Sequence, residues 1–127
     1  GTGQQHAELR LPADPRLLRV ARVAAASVAA ELPFTLQDIE DLRIAVDELA
    51  AVAIDGCPPE AELALRFELR DGGIEVSGRV AGAGAPPEIH AVAADLLGLV
   101  AEGHELGEED GDRVFRFAKK PAEPVTP

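Results

Sequence analysis

Residues 39–56 read Ile39-Glu40-Asp41-Leu42-Arg43-Ile44-Ala45-Val46-Asp47-Glu48-Leu49-Ala50-Ala51-Val52-Ala53-Ile54-Asp55-Gly56. At about 3.6 residues per turn, Ile39, Leu42, Val46, Leu49, Ala50 and Ala53 fall on one face, the pattern of a helix packed on a core. Ile44, Glu48 and Val52 form a second line at i, i+4, i+8, which sets one carboxylate between two apolar neighbours. A simple surface helix would make that line polar, so Glu48 is a candidate functional group. The plainer reading is that it pairs with Arg43 or with an arginine of a neighbouring strand.

Both ends of this segment carry stop signals. Pro33 breaks the helix before it, and Thr35 with Asp38 three residues on resembles a capping box in which Asp replaces the usual Glu. Gly56-Cys57-Pro58-Pro59 ends it, because glycine permits a left-handed cap and proline cannot continue a helix. Upstream, Asp14-Pro15 is a helix start. Leu17, Val20, Ala21, Ala24 and Val28 then mark the buried stripe of a helix running to about residue 31. Its other face carries Arg16, Arg19 and Arg22, three cations in a chain short of them. These read as a solvated helix face or as a docking edge for an acidic patch on a partner. Residues 7–12 alternate, Leu9 and Leu11 against Glu8 and Arg10, as a short strand does.

Downstream, Leu63, Leu65, Phe67 and Leu69 alternate with Glu62, Ala64, Arg66 and Glu68, the period-two pattern of a strand with one wet face. Asp71-Gly72-Gly73 is a hairpin turn, and Ile74, Val76 and Val80 continue as the returning strand. Gly82 and Gly84 open a loop that Pro86-Pro87 closes, followed by an Ala/Leu-rich helix at about 88–100. Residues 99–106 read as a further strand, 107–111 as a solvated acidic turn, and 112–119, with Phe115 and Phe117 on one side, as the last strand. This order describes an α+β two-layer sandwich: a mostly antiparallel mixed sheet with about three helices on one face. The domain is expected over 7–120, with 1–6 a disordered N-terminus or cloning remnant and 121–127 a disordered tail.

Composition narrows the function classes. A net charge of −11, with Lys+Arg at 12 and Asp+Glu at 23, repels phosphate backbones, and aromatics at 3% leave few platforms for stacked bases, so direct nucleic-acid binding is not expected. A basic protein surface is a better match, unless the acidity serves solubility alone. No apolar run reaches about 18 residues and no leader pattern begins the chain, so neither a membrane span nor a signal peptide is expected. The single Cys57 has no partner for a disulfide or a zinc site and reads as a structural residue of a reduced, cytoplasmic protein, with nothing basic near it in sequence. His6, His90 and His104 lack helical pairing, read as surface histidines, and give no metal site.

Residues 45–54, Ala45-Val46-Asp47-Glu48-Leu49-Ala50-Ala51-Val52-Ala53-Ile54, resemble the N box of GHKL-type anti-sigma factor kinases, bacterial switch proteins related to histidine-kinase ATPase domains. In that family the pattern runs Ala-Val-x-Glu-x-x-x-Asn-Ala-Ile, with Glu as general base and Asn as a ligand of the magnesium that carries ATP. Glu48 matches the base. Val52 stands at the Asn position and has no lone pair to offer a hard cation. Val80, Gly82 and Gly84 fall on the family's Asp-x-Gly-x-Gly box. Both glycines match, but Val80 replaces the Asp that accepts a hydrogen bond from the adenine amino group. The family's lid and its second glycine-rich, phosphate-holding motif are not evident before the helix at 88–100. The resemblance covers about 7–120, is strongest over 42–54, and implies a Bergerat-like sandwich.

The resemblance also implies a function. Proteins of this family sequester a sigma factor of RNA polymerase and exchange it for an anti-anti-sigma protein, usually as homodimers, and they phosphorylate a serine of that antagonist using ATP and magnesium. With three ATP elements altered, the expectation is an anti-sigma factor-like regulator that works by binding, with no cofactor. The alternative is an active ATP-dependent protein serine kinase in which Glu48 polarises the attacking hydroxyl. A sensor whose vestigial pocket takes another small ligand is a third reading.

Overall fold

The alternating stretches pair into one five-stranded sheet. Its strands are β1 (Gln5–Pro12), β2 (Glu62–Arg70), β3 (Gly73–Val80), β4 (Glu105–Glu109) and β5 (Asp112–Lys119), in the order β1-β2-β3-β5-β4. The computed structural model describes residues 5–101 and 103–122. Every neighbouring pair of these strands is antiparallel, so among the described residues the sheet expected to be mixed has no parallel pair. Two tight hairpins make two of those pairings. Asp71 (φ 54°) with Gly72 (φ 75°), and Asp110 (φ 52°) with Gly111 (φ 85°), hold the left-handed conformation at both central positions, as two-residue hairpin turns of the primed kind require.

Among the described residues three α-helices complete the fold: α1 (Leu18–Ala29), α2 (Leu36–Ile54) and α3 (Ala91–Val100). The buried stripe of α1 is Leu18, Ala21, Ala25 and Ala29, while Val20 is 36% exposed. Of the expected stripe of Leu17, Val20, Ala21, Ala24 and Val28, Ala21 is fully buried and Leu17, Ala24 and Val28 are half-buried, so the buried face is turned by about one residue from the expected one. A 3₁₀ turn at Pro15–Leu17 precedes the helix, and within the helix apolar residues fill two neighbouring lines, of which the one through Ala21, Ala25 and Ala29 faces the core. The stripe of α2 is as expected: Leu42, Val46, Leu49, Ala50 and Ala53 are fully buried. The fully buried alanines of α1 and α2 let these two helices pack closely, and both lie over the sheet.

The start of α2 is built by the predicted capping box. Asp38 N–H donates to Thr35 Oγ1 at 3.0 Å and Thr35 N–H donates to Asp38 Oδ2 at 2.9 Å. The same carboxylate accepts from Ala122 N–H at 3.2 Å and lies 3.9 Å from Lys119 Nζ, which ties the helix to the chain leaving β5. Burial works to raise the pKa of Asp38. The amides of Thr35 and Ala122, the Thr35 side chain and the Lys119 ammonium outweigh it and hold the carboxyl below its ordinary value.

Two strands differ from expectation in their bounds. β1 begins at Gln5, and Gln5 and His6 pair with Leu69 and Glu68, so these two residues of the segment 1–6 are ordered. Residues 1–4 and 123–127, the remainder of the segments read as disordered, lie outside the described residues. Residues 99–100 end α3 rather than start a strand, because Ala101 N–H closes the helical turn onto Leu97 O at 2.8 Å. A short apolar run such as Leu96, Leu97, Leu99 and Val100 fits either period. Gly107, Glu108 and Glu109 pair with Val114, Arg113 and Asp112, so the acidic turn shrinks to Asp110 and Gly111.

The core lies between the sheet and the helices and centres on Phe67, Leu63, Leu65, Val76 and Val80 of the sheet against Leu42, Val46 and Leu49 of α2. The opposite face of the sheet carries its own ion pairs. Arg66 reaches Glu8 (3.6 Å) and Glu68 (3.3 Å), Arg79 reaches Asp112 (2.6 Å) and Glu109 (3.3 Å), and Arg116 reaches Glu105 (3.7 Å). These cations are occupied within the chain and form no basic patch. Among the described residues, no helix is long and apolar enough to cross a membrane.

Candidate functional site

Helix α2 brings Glu48 and Val52 one turn apart, both half-buried. Arg43 pairs with Glu40 at 3.4 Å, not with Glu48, and among the described residues Glu48 makes no ion pair to replace it. Val80 ends β3, fully buried, in register with Leu63 on one side and Arg113 on the other. Gly82 and Gly84 follow with φ of 71° and 70°, a left-handed backbone that glycine adopts without steric cost.

Three consecutive residues at the start of β5 grip this glycine loop. Gly84 N–H donates to Gly111 O at 2.9 Å. Gly82 N–H donates to Asp112 Oδ1 at 2.9 Å, and Arg79 Nη1 donates to Asp112 Oδ2 at 2.6 Å. The Gly82 amide first, then the Arg79 guanidinium, hold the Asp112 carboxyl below the usual carboxylate range.

Arg113, 7% exposed, makes the third contact and extends it to α2. Its Nη1 donates toward Asp55 O at 2.8 Å, Ala53 O at 3.0 Å and Val52 O at 3.3 Å. Nη2 donates to Ala83 O at 3.0 Å and Ala85 O at 3.3 Å, and Nε to Gly84 O at 3.3 Å. The last carbonyls of a helix lack partners within it and carry the negative end of its dipole. A guanidinium, always charged and planar with donors on two edges, satisfies them and the loop carbonyls together. Sequence reading missed Arg113. The signal was available: Arg113, Phe115 and Phe117 share one period-two face, and Phe115 and Phe117 are buried.

The structure thus brings Val52 and Gly84 to one side chain, Arg113, with Val80 its register partner, Gly82 held in the same loop by Asp112, and Glu48 a helical turn before Val52. What these groups offer a ligand is limited. Val52 and Val80 have no side-chain oxygen, the N–H groups of Gly82 and Gly84 are already donated within the chain, and the loop carbonyls face a guanidinium. Among the described residues no group of His, Cys, Asp or Glu is arranged to hold a metal ion. Two depressions mark the surface elsewhere. One of about 620 Å³ lies on the sheet's outer face, lined by residues that include Arg66, Ser77 and Arg116. The other, about 300 Å³, lies between β1 and α1 beside Gln5, Ala7 and Val28. Neither touches a motif position.

The remaining candidates sit apart from this cluster. Arg16 turns back onto Asp14, with Nη2 2.8 Å from Oδ2, and Arg22 Nη1 reaches Asp47 of α2 at 2.6 Å. Arg19 is exposed, so the row of three cations is divided between local, interhelical and solvent roles. His90 is not a bystander: its Nδ1 accepts from Val92 N–H at 3.2 Å and caps α3. His104 is half-buried, its Nδ1 3.0 Å from Ala101 O. Cys57 Sγ lies 3.8 Å from Arg113 Nη1, a cation that sequence proximity did not reveal.

No family model matches the chain. Among curated proteins it is similar to the serine-protein kinase RsbW of Bacillus velezensis, 31% identical over 78 residues that cover 59% of this chain and 49% of that protein. The serine-protein kinase RsbW of Bacillus subtilis is 32% identical over 72 residues, covering 54% and 45%. The chain spans about half the length of the curated relatives it matches. A crystal structure of the RsbU and RsbW domains of a Mycobacterium tuberculosis protein matches 96% of this chain and 35% of that one, with a TM-score of 0.69 at 19% identity. These similarities bear out the family resemblance read from residues 42–54, and the structural match bears out the α+β sandwich.

Proposed function

We propose that the chain is an anti-sigma factor-like regulator that works by binding protein partners, a sigma factor and an anti-anti-sigma antagonist, without binding or turning over ATP. The similarity to serine-protein kinases named RsbW supports the regulatory class. The observation that carries the binding-only reading is the Arg113 guanidinium. It joins Val52 O of α2 to Gly84 O of the glycine loop, both at 3.3 Å, where the resemblance would seat a nucleotide between the same two elements.

A site for magnesium-bound ATP needs oxygen ligands for the metal and free amides or cations for the phosphates. Val52 supplies no oxygen, Val80 supplies no acceptor for the base, and the two glycine amides are engaged. Partner exchange then follows mass action rather than phosphorylation. The exposed Arg19, with Arg16 and Arg22 beside it, is the proposed edge for an acidic patch on the partner. In this reading the protein acts in the cytoplasm, as a homodimer in the manner of the family, and touches neither nucleic acid nor membrane.

The test is capture of purified sigma factors and anti-anti-sigma proteins of the source organism, with and without Mg-ATP. The reading expects a complex with at least one of them that forms without nucleotide and does not change when it is added. No complex with any of them would overturn the regulatory assignment. Phosphate transfer to an antagonist serine would restore the kinase alternative, with Glu48 as its general base.

A further inference from the structure

Helix α3 carries more apolar side chain than the fold uses. Of the 10 residues in Ala91–Val100, every one but Asp95 is apolar or glycine, yet only Leu97 and Val100 are buried. Ala93 and Leu96 are half-buried, and Ala91, Val92, Ala94, Asp95, Gly98 and Leu99 face outward. Val92 is 69% exposed and Leu99 81%. They lie at i and i+7 with Asp95 at i+3, so the three form one line along the helix. A helix that is apolar all round belongs inside a core or against a partner, and the chain itself covers one side only.

The sequence flanking this helix carries one sign of charge. Residues 80–112 contain no Lys or Arg, and neither do residues 44–65, which include the C-terminal half of α2; α3 packs on α2. Glu88, Asp95 and Glu108 are exposed carboxylates of the first segment. Arg113, the next cation in sequence, is buried. A second copy of this chain would bring the same carboxylates against their own kind, and a phosphate-bearing surface would be repelled likewise. An apolar strip in a negative field suits an amphipathic helix with aliphatic anchors at i, i+3 or i+4, and i+7, flanked by Lys and Arg.

We infer that the outward face of α3 is a docking surface for a basic amphipathic helix of a partner protein. The apolar strip supplies the contact area and the carboxylates orient the incoming helix. The inference holds whether or not that partner is a sigma factor.

The experiment is a ¹⁵N-resolved NMR titration of the full chain with a short synthetic amphipathic helix built from Leu and Lys, beside a sign-reversed peptide of Leu and Glu. The expected result is saturable shifts concentrated in residues 91–100 with the Leu/Lys peptide and none with the Leu/Glu peptide. Leu99→Glu should weaken binding by about tenfold or more, as loss of a central apolar anchor does. Asp95→Lys, which leaves the apolar strip in place, should weaken it through charge alone. Val23→Glu, at another exposed valine, on α1, should bind as the unaltered chain does. Shifts centred elsewhere, equal affinity in Leu99→Glu and Val23→Glu, or equal binding of both peptides would overturn the proposal. So would sedimentation showing a dimer of the free chain that Leu99→Glu dissociates, since that would make a second copy the occupant.

Discussion

Val80 and Arg113 are register partners across β3 and β5, and they stand on opposite sides of an exchange of roles. Val80 holds the position where the family resemblance places a base-reading carboxylate. Arg113, one strand over, sends its guanidinium into the gap between α2 and the glycine loop. A charged group in that gap is stable because six main-chain carbonyls converge on it, from Val52, Ala53 and Asp55 on one side and Ala83, Gly84 and Ala85 on the other. The cluster is closed by hydrogen bonds within the chain, and it fastens the end of the longest helix to the sheet.

Arg113→Ala should therefore destabilise the chain by about 2–4 kcal/mol, the range for leaving several acceptors of a charged donor without a partner. Arg113→Lys should recover less than half of that loss, because a point-like ammonium cannot span two sets of carbonyls. Denaturant unfolding of the three proteins gives the comparison.

Asp38 provides a pH test. Its folded-state pKa lies below its unfolded value, so the stability it contributes is fully present above the unfolded pKa, about 3.9, and is lost as pH falls through the folded one. Asp38→Asn should cost about 1 kcal/mol at neutral pH, in line with the loss of a helix cap. The gap between the two proteins should hold from neutrality down to about pH 5 and close as pH falls toward about 2. A gap that stayed constant throughout acid titration would place the effect elsewhere.

Gly78 pairs with Phe115 in the sheet, and a Cβ added there would stand 2.6 Å from Phe115 Cζ. The aromatic ring lies across the glycine and fills the space that a side chain would take. Gly78→Ala should lower stability by about 1–3 kcal/mol through overpacking. Combined with Phe115→Leu, the two losses should be less than additive, since the smaller side chain makes room for the methyl.

The expected outcomes for the α1 arginines differ by position. Arg22→Glu breaks the contact with Asp47, whose side chain is 37% exposed; an exposed ion pair contributes up to about 1 kcal/mol. Arg19→Glu should leave unfolding within about 0.5 kcal/mol of the unaltered chain and weaken partner capture. Equal capture by the unaltered chain and Arg19→Glu would remove the proposed docking edge.

Legibility in the sequence followed the range of the interactions. Glu62 to Leu69 and Leu42 to Ala53 announced themselves by period, because a strand or helix with one buried face must repeat its apolar positions. Thr35 and Asp38 gave the start of α2 because capping is local. The place of Arg113 on the buried face of Phe115 and Phe117 was legible by period, but its role was not: a guanidinium in a mostly apolar core face is stable only with carbonyls 28 to 61 residues away, and no local pattern records them. The buried face of α1 was hard to place because its apolar residues fill two neighbouring lines, Val20, Ala24 and Val28 beside Ala21, Ala25 and Ala29, and the end of α3 because its apolar run fits two periods. At the site, the motif positions were legible one by one. That Val52 and Gly84 meet at one cation, the register partner of Val80, was not, since it depends on how β5 pairs with β3.

The proposed binding-only function requires that the cradle between α2 and the glycine loop takes no nucleotide. Isothermal titration of the full chain with Mg-ATP measures this directly, with Arg113→Ala run beside it. The expected result is no binding heat up to millimolar nucleotide for either protein, because removing the guanidinium restores no oxygen at positions 52 and 80. Saturable binding of Mg-ATP to the unaltered chain at micromolar affinity would contradict it.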